Sequence, residues 1–104
     1  MGYASKGARR MKSKSILTDD LEKCYICESH SWLEQHHIFG GANRKKSTKY
    51  KLTVPLCHGC HNEPPGGVHH NRKNNDKLKE LGQKAFEQHY PNLNFLQLFG
   101  RNYL

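Results

Sequence analysis

A chain of 104 residues and 12.0 kDa has room for one small domain at roughly 100–200 residues per domain, which excludes a multidomain or Rossmann-type organisation. Apolar residues make up 35% of it against a usual ~45–50%, so the core is expected to be thin and to need a staple. Lys and Arg number 17 against 9 Asp and Glu, for a net charge of +8; such a surface attracts polyanions, nucleic acid first among them.

The sequence has no run of ~18 apolar residues, the length read as a membrane helix, and its basic N-terminus lacks the apolar core of a signal peptide. The expectation is an intracellular, cytoplasmic protein with no membrane partner. In that reducing compartment, paired cysteines read as metal ligands rather than as disulfides.

Residues 1–15 carry five basic side chains, no acid and small polar fillers, a composition that cannot bury enough surface to offset its ordering entropy. They are read as a flexible basic arm, with 16–104 as the folded domain. Cys24-Tyr25-Ile26-Cys27 reads as a tight metal-binding turn, and a strand is expected from about Ser31. Residues 40–51 open with Gly40-Gly41 and hold five basic residues and no acid, which predicts an exposed loop. Residues 52–56 read as a second strand at an edge, because Pro55 has no N–H to give a ladder.

A short helix over 58–62 should stop at Pro64-Pro65-Gly66-Gly67. Over 76–89, Leu78, Leu81, Ala85, Phe86 and His89 recur at helical spacing, with Asn75 as cap and Pro91 as stop. In the tail, Leu93, Leu96 and Phe99 share a face, and Gly100 suits a helix end. These apolar stripes read as packing surface.

The strongest chemical signal is Cys24-x2-Cys27 with Cys57-x2-Cys60. Two such knuckles can place four thiolates around a structural Zn²⁺, a closed site that contributes folding energy outright. His58 and His30 lie near enough in sequence to make a Cys3His set the alternative. Eight histidines are present, and most cluster at His36-His37, His58, His61 and His69-His70. A zinc clamp on the knuckles would draw the segment of His36 and His37 towards His61. A second metal, held by imidazoles with coordination positions left open, is what hydrolytic chemistry requires. The competing readings are metal storage and solvated histidines.

Cys24-x2-Cys27, then Leu33-Glu34-Gln35-His36-His37-Ile38-Phe39-Gly40-Gly41, then Val54-Pro55-Leu56-Cys57-x2-Cys60-His61 resembles the zinc-containing HNH endonucleases of the ββα-metal group. Gly67-Val68-His69 and the ending Phe99-Gly100-Arg101-Asn102-Tyr103 are similar to the phage recombination-enhancement, RecA-dependent nucleases within it. The resemblance spans residues 16–104. It implies a small α+β, zinc-stapled ββα-metal fold with added C-terminal helices. It assigns His36, His61 and a downstream histidine, His69 or its neighbour His70, to one catalytic divalent ion, and His37 to the general base. The asparagine that commonly precedes the second strand has no counterpart before Val54, and Asn43 is the candidate brace in its place. His36 and His37, as neighbours on a strand, would face opposite ways, so a bend is expected there.

The implied activity is metal-dependent hydrolysis of DNA phosphodiester bonds with low sequence specificity, in phage or prophage recombination or DNA processing. Three neutral imidazoles favour Ni, Co, Zn or Mn over Mg, which prefers oxygen. Arg44, Lys45, Lys46, Lys49 and Lys51 lie between the two site-forming segments, so they are expected to meet DNA phosphates, contacts that position the backbone without reading bases. DNA is thus the expected partner, and a recombinase filament is a second one that the resemblance admits. The competing function is a non-catalytic, zinc-stabilised DNA-binding module.

Overall fold

The computed structural model describes residues 14–104. The basic arm expected over 1–15 therefore falls outside the described residues except for its last two, and at Ile16 the chain is tied in by a backbone bond to the Lys51 carbonyl at 3.0 Å. The architecture is small α+β, a two-stranded antiparallel sheet with helices. Strand β1 is Leu33–His37 and β2 is Thr53–Cys57, paired in register from Leu33 with Cys57 to His37 with Thr53. Among the described residues the sheet has two strands, so both are edges, which accommodates Pro55.

Between the strands the expected exposed loop is instead helical: a 3₁₀ turn over Gly41–Asn43 and then helix α1, Arg44–Lys49. A single buried residue anchors α1. Ser47 Oγ donates to the Phe39 carbonyl at 2.7 Å and accepts the Phe39 N–H at 3.0 Å. With Ser47 as its one buried position, α1 has no apolar period for sequence reading to detect. Lys51, at a left-handed φ of 61°, turns the chain into β2.

Helix α2, His58–Asn62, follows β2 directly, and Cys57 serves as its N-cap through Sγ. Helix α3, Arg72–His89, starts four residues earlier than the periodicity indicated, and its cap is Asn71, not Asn75. Leu78 and Phe86 of the expected stripe are buried, whereas Gly82 and Gln83 take the inward positions between them and His89 is exposed. Gly82 is required by close packing, since a Cβ there would sit 3.0 Å from Ile38 and 3.2 Å from the Phe39 ring.

Helix α4, Phe95–Phe99, also corrects the expected face. Phe95 and Phe99 are buried and stacked at 4.4 Å, while Leu93 and Leu96 stand 42% and 55% exposed. Aromatics at i and i+4 share a helix face, and here that face meets the Phe39 and Phe86 rings at 5.1–5.6 Å. Gly100 ends α4 at φ 81°, as its position suggested. Asn43 and Lys46 bind the Phe99 and Leu98 carbonyls, tying α4 to the segment between the strands. No helix among the described residues is long and apolar enough to cross a membrane.

Candidate metal centres

Among the described residues, two groups of side chains could hold a metal ion. In the first, one Sγ each from Cys24, Cys27, Cys57 and Cys60 lie within 4.8 Å of one another, and none of the four is in a disulfide. The backbone is shaped to sulfur: the N–H groups of Ile26 and Cys27 point at Cys24 Sγ at 3.4 and 3.5 Å, and that of Cys60 at Cys57 Sγ at 3.5 Å. Burial raises the Cys24 thiol, but the N–H groups aimed at its sulfur outweigh it and bring the pKa down to about 7. Burial, together with the neighbouring sulfurs, holds Cys60 far up, because four thiolates this close repel unless a cation is among them. The quartet could hold a structural ion such as zinc. His30 and His58 stand outside it, His30 on the Glu22 carbonyl and His58 on Glu34.

The second cluster is His36, His61 and His69, whose ligand nitrogens also lie within 4.8 Å of one another. Their ring centroids are 4.6–5.3 Å apart, and His61 Nε2 faces His69 Nε2 at 3.0 Å. His36 is 4% exposed and its Nε2 has no hydrogen-bond partner. Burial pushes its pKa down to about 3, with the neighbouring imidazoles and Lys79 adding to the shift. His69 is lowered by burial and then by His61 and His70. Neutral imidazoles with converging lone pairs suit a metal ion.

His69 reaches His61 although seven residues separate them. After α2 the chain loops out and returns, with Val68 N–H bonded to the Cys60 carbonyl at 2.8 Å and His69 N–H to the His61 carbonyl at 3.2 Å. Gly67 makes the return possible, since a Cβ there would come within 2.6 Å of the Glu63 backbone N and O. The Pro-Pro-Gly-Gly segment thus places His69 beside α2 without continuing it, and His70 is left outside the cluster.

Glu34 is a member of the site that sequence reading passed over. Its Oε1 accepts His61 Nδ1–H at 2.7 Å and Asn62 Nδ2–H at 3.0 Å, and its Oε2 accepts from His58 Nδ1 at 3.1 Å. Burial works to raise the Glu34 pKa, but the bonds from His61 and His58 prevail and lower it. A carboxylate on Nδ1 fixes the His61 tautomer and presents Nε2 as the ligand. The signal was available: Glu34 and His36 are two apart on a strand and so share a face.

His37 lies on the other face of β1. The strand is regular through both histidines, which pair with Val54 and Thr53, so the expected bend between them is absent. The turn comes later, at Gly40 and Gly41, and the cavity there wraps around the strand end. It has a volume of about 370 Å³ and its lining includes His36, His37, His69, Asn75, Lys79 and Tyr103. His37 Nε2 bonds Thr48 Oγ1 at 3.1 Å, and that hydroxyl reaches the Arg44 carbonyl at 3.4 Å. Burial, then the Arg44 charge, lowers the His37 pKa.

Of the basic residues singled out, Arg44, Lys45, Lys49 and Lys51 are exposed on and after α1. Lys46 differs: it is half-buried and its ammonium binds the Leu98 carbonyl, so it secures α4 where a phosphate contact was expected.

Fold and clusters together define a small α+β protein that has, among the described residues, one four-thiol and one three-imidazole group that could hold metal. Compared with known proteins, the chain matches no family model, no curated protein and no solved structure.

Proposed function

We propose that this protein is a metal-dependent HNH endonuclease of the ββα-metal type, hydrolysing DNA phosphodiester bonds with little sequence preference. The observation that carries the reading is one cavity lined both by two of the three clustered imidazoles, His36 and His69, and by a separately anchored histidine, His37. A metal-storage site would have no use for the second kind of histidine. A divalent ion on His36, His61 and His69 would supply Lewis acidity to a phosphate and its leaving oxygen.

His37 is the general base. Thr48 Oγ1 donates to the Arg44 carbonyl, so it accepts His37 Nε2–H, which leaves Nδ1 as the proton acceptor. Its lowered pKa keeps the ring neutral at cellular pH. Water attacks phosphorus as its proton passes to Nδ1, the P–O3′ bond breaks, and the leaving O3′ takes a proton from solvent water, so that the products carry 5′-phosphate and 3′-hydroxyl ends, as in the family the sequence resembles. Arg44, Lys45, Lys49 and Lys51 hold flanking phosphates through sequence-independent contacts.

The test is nicking of supercoiled plasmid with Mg²⁺, Mn²⁺, Ni²⁺ or Zn²⁺ supplied in turn, His37→Ala serving as control. Nicking by the wild type and its loss in the variant, with DNA retention unchanged, supports the reading. DNA retention without nicking under every ion would make the protein a zinc-stabilised binding module instead.

A further inference from the structure

Three buried side-chain polar atoms among the described residues have no hydrogen-bond partner: His36 Nε2, Thr53 Oγ1 and Asn75 Oδ1. Leaving such an atom unpaired forfeits its hydration without compensation, so each calls for an explanation. Two of the three residues, His36 and Asn75, line the same cavity, and Thr53 does not. For His36 the explanation is its place in the imidazole cluster.

Asn75 is not spent on its own helix. Asparagine near a helix start usually caps the backbone, but Asn71 fills that role for α3, accepting the Asn74 N–H at 2.9 Å. Asn75 and Lys79 are one turn apart on the same face of α3, and both line the cavity. An ammonium is a donor only, so Lys79 cannot do what an amide oxygen does there.

We propose that Asn75 is a fourth protein group of the imidazole site, its Oδ1 accepting hydrogen bonds from water held by the cation. The proposal rests on the reading of His36, His61 and His69 as an ion site. A neutral, hard acceptor steadies hydration water without adding charge. The cavity, at about 370 Å³, has room for several waters at ~30 Å³ each. The consequence is selectivity. Three imidazoles alone favour borderline ions such as Zn²⁺ and Ni²⁺, whereas an added oxygen acceptor supports ions that retain water, such as Mn²⁺ and Mg²⁺.

The experiment titrates Mn²⁺ into the full chain after the thiol cluster has been filled with one equivalent of Zn²⁺, following free Mn²⁺ by its paramagnetic resonance. Wild type, Asn75→Leu, Asn75→Asp and His36→Ala are compared, with circular dichroism to check folding. Asn75→Leu is expected to weaken Mn²⁺ binding about 10–100-fold, the usual cost of losing an outer-shell partner, and to weaken Zn²⁺ at the same site less. Asn75→Asp, which keeps an acceptor, retains or tightens Mn²⁺. Mn²⁺ affinity within about twofold of wild type in Asn75→Leu overturns the proposal, given that outer-shell losses are normally larger. So does an Asp variant as weak as the Leu variant. His36→Ala separates the two levels: if it also leaves Mn²⁺ binding intact, the ion site itself fails, whereas loss in His36→Ala beside intact binding in Asn75→Leu removes Asn75 alone.

Discussion

The thiol and imidazole clusters are built from opposite materials. The four sulfurs sit on two short Cys-x2-Cys segments, in each of which backbone N–H groups point at the first sulfur, Cys24 or Cys57, so the local chain makes much of that site by itself. The three imidazoles come from β1, α2 and the returning segment after Gly67, and a carboxylate from β1 orients one of them. The first cluster has four protein ligands, enough to close a tetrahedron. The second has three and borders a cavity, the pattern of a site that leaves a position for water or substrate. On the proposed function one cluster holds the chain together and the other serves chemistry, so removing each should do different damage.

The largest effect is expected at the thiols. Cys57→Ser removes a thiol of the cluster while leaving a hydroxyl that can still cap α2, and should unfold the domain or lower its melting temperature by roughly 10 °C or more. Equal melting temperatures for variant and wild type, with full zinc content, would break the contrast. His37→Ala should leave folding and metal content unchanged while reducing plasmid nicking by about 10²–10⁴-fold.

Gly67→Ala tests whether the imidazole site depends on the returning chain. The new Cβ meets Glu63 backbone at 2.6 Å, so about 1–3 kcal/mol of stability should be lost. Calorimetric titration should show metal affinity falling at the imidazoles but holding at the thiols. Thr48→Val removes the acceptor for His37 Nε2–H and should slow nicking by about fivefold, as expected for about 1 kcal/mol of lost orientation. The smallest effect is on the pH profile. A base with a lowered pKa stays unprotonated to lower pH, so the acidic limb of the rate should lie below the ordinary imidazole value of 6.5. A limb at or above that value would contradict the assignment of His37.

Much of the architecture could be read from local pattern. Both strands, α2, the long α3 and the Gly100 stop carry turn residues and periodicity that act over a few positions. The segment 40–51 could not be read that way, because α1 is fixed by one serine and by carbonyls of α4. The tail misled for a similar reason: Leu96 has the spacing of a core residue, but the rings of Phe39 and Phe86 select Phe95 and Phe99. At the site, His36 and His61 were legible through resemblance, with the third histidine left between His69 and His70, while Glu34, Thr48 and Asn75 have side chains common enough to carry no signal until their partners are in place.

Residue spacing alone determined the knuckles, since ligands three apart on a turn converge whatever surrounds them. It also determined the strongly basic character of the chain. Only the tertiary structure decided that His69 and not His70 joins His36 and His61, that His37 faces Thr48, and that Lys46 turns inward. Those choices depend on which backbone segments pack side by side over long sequence separations, and short-range rules carry no information about that.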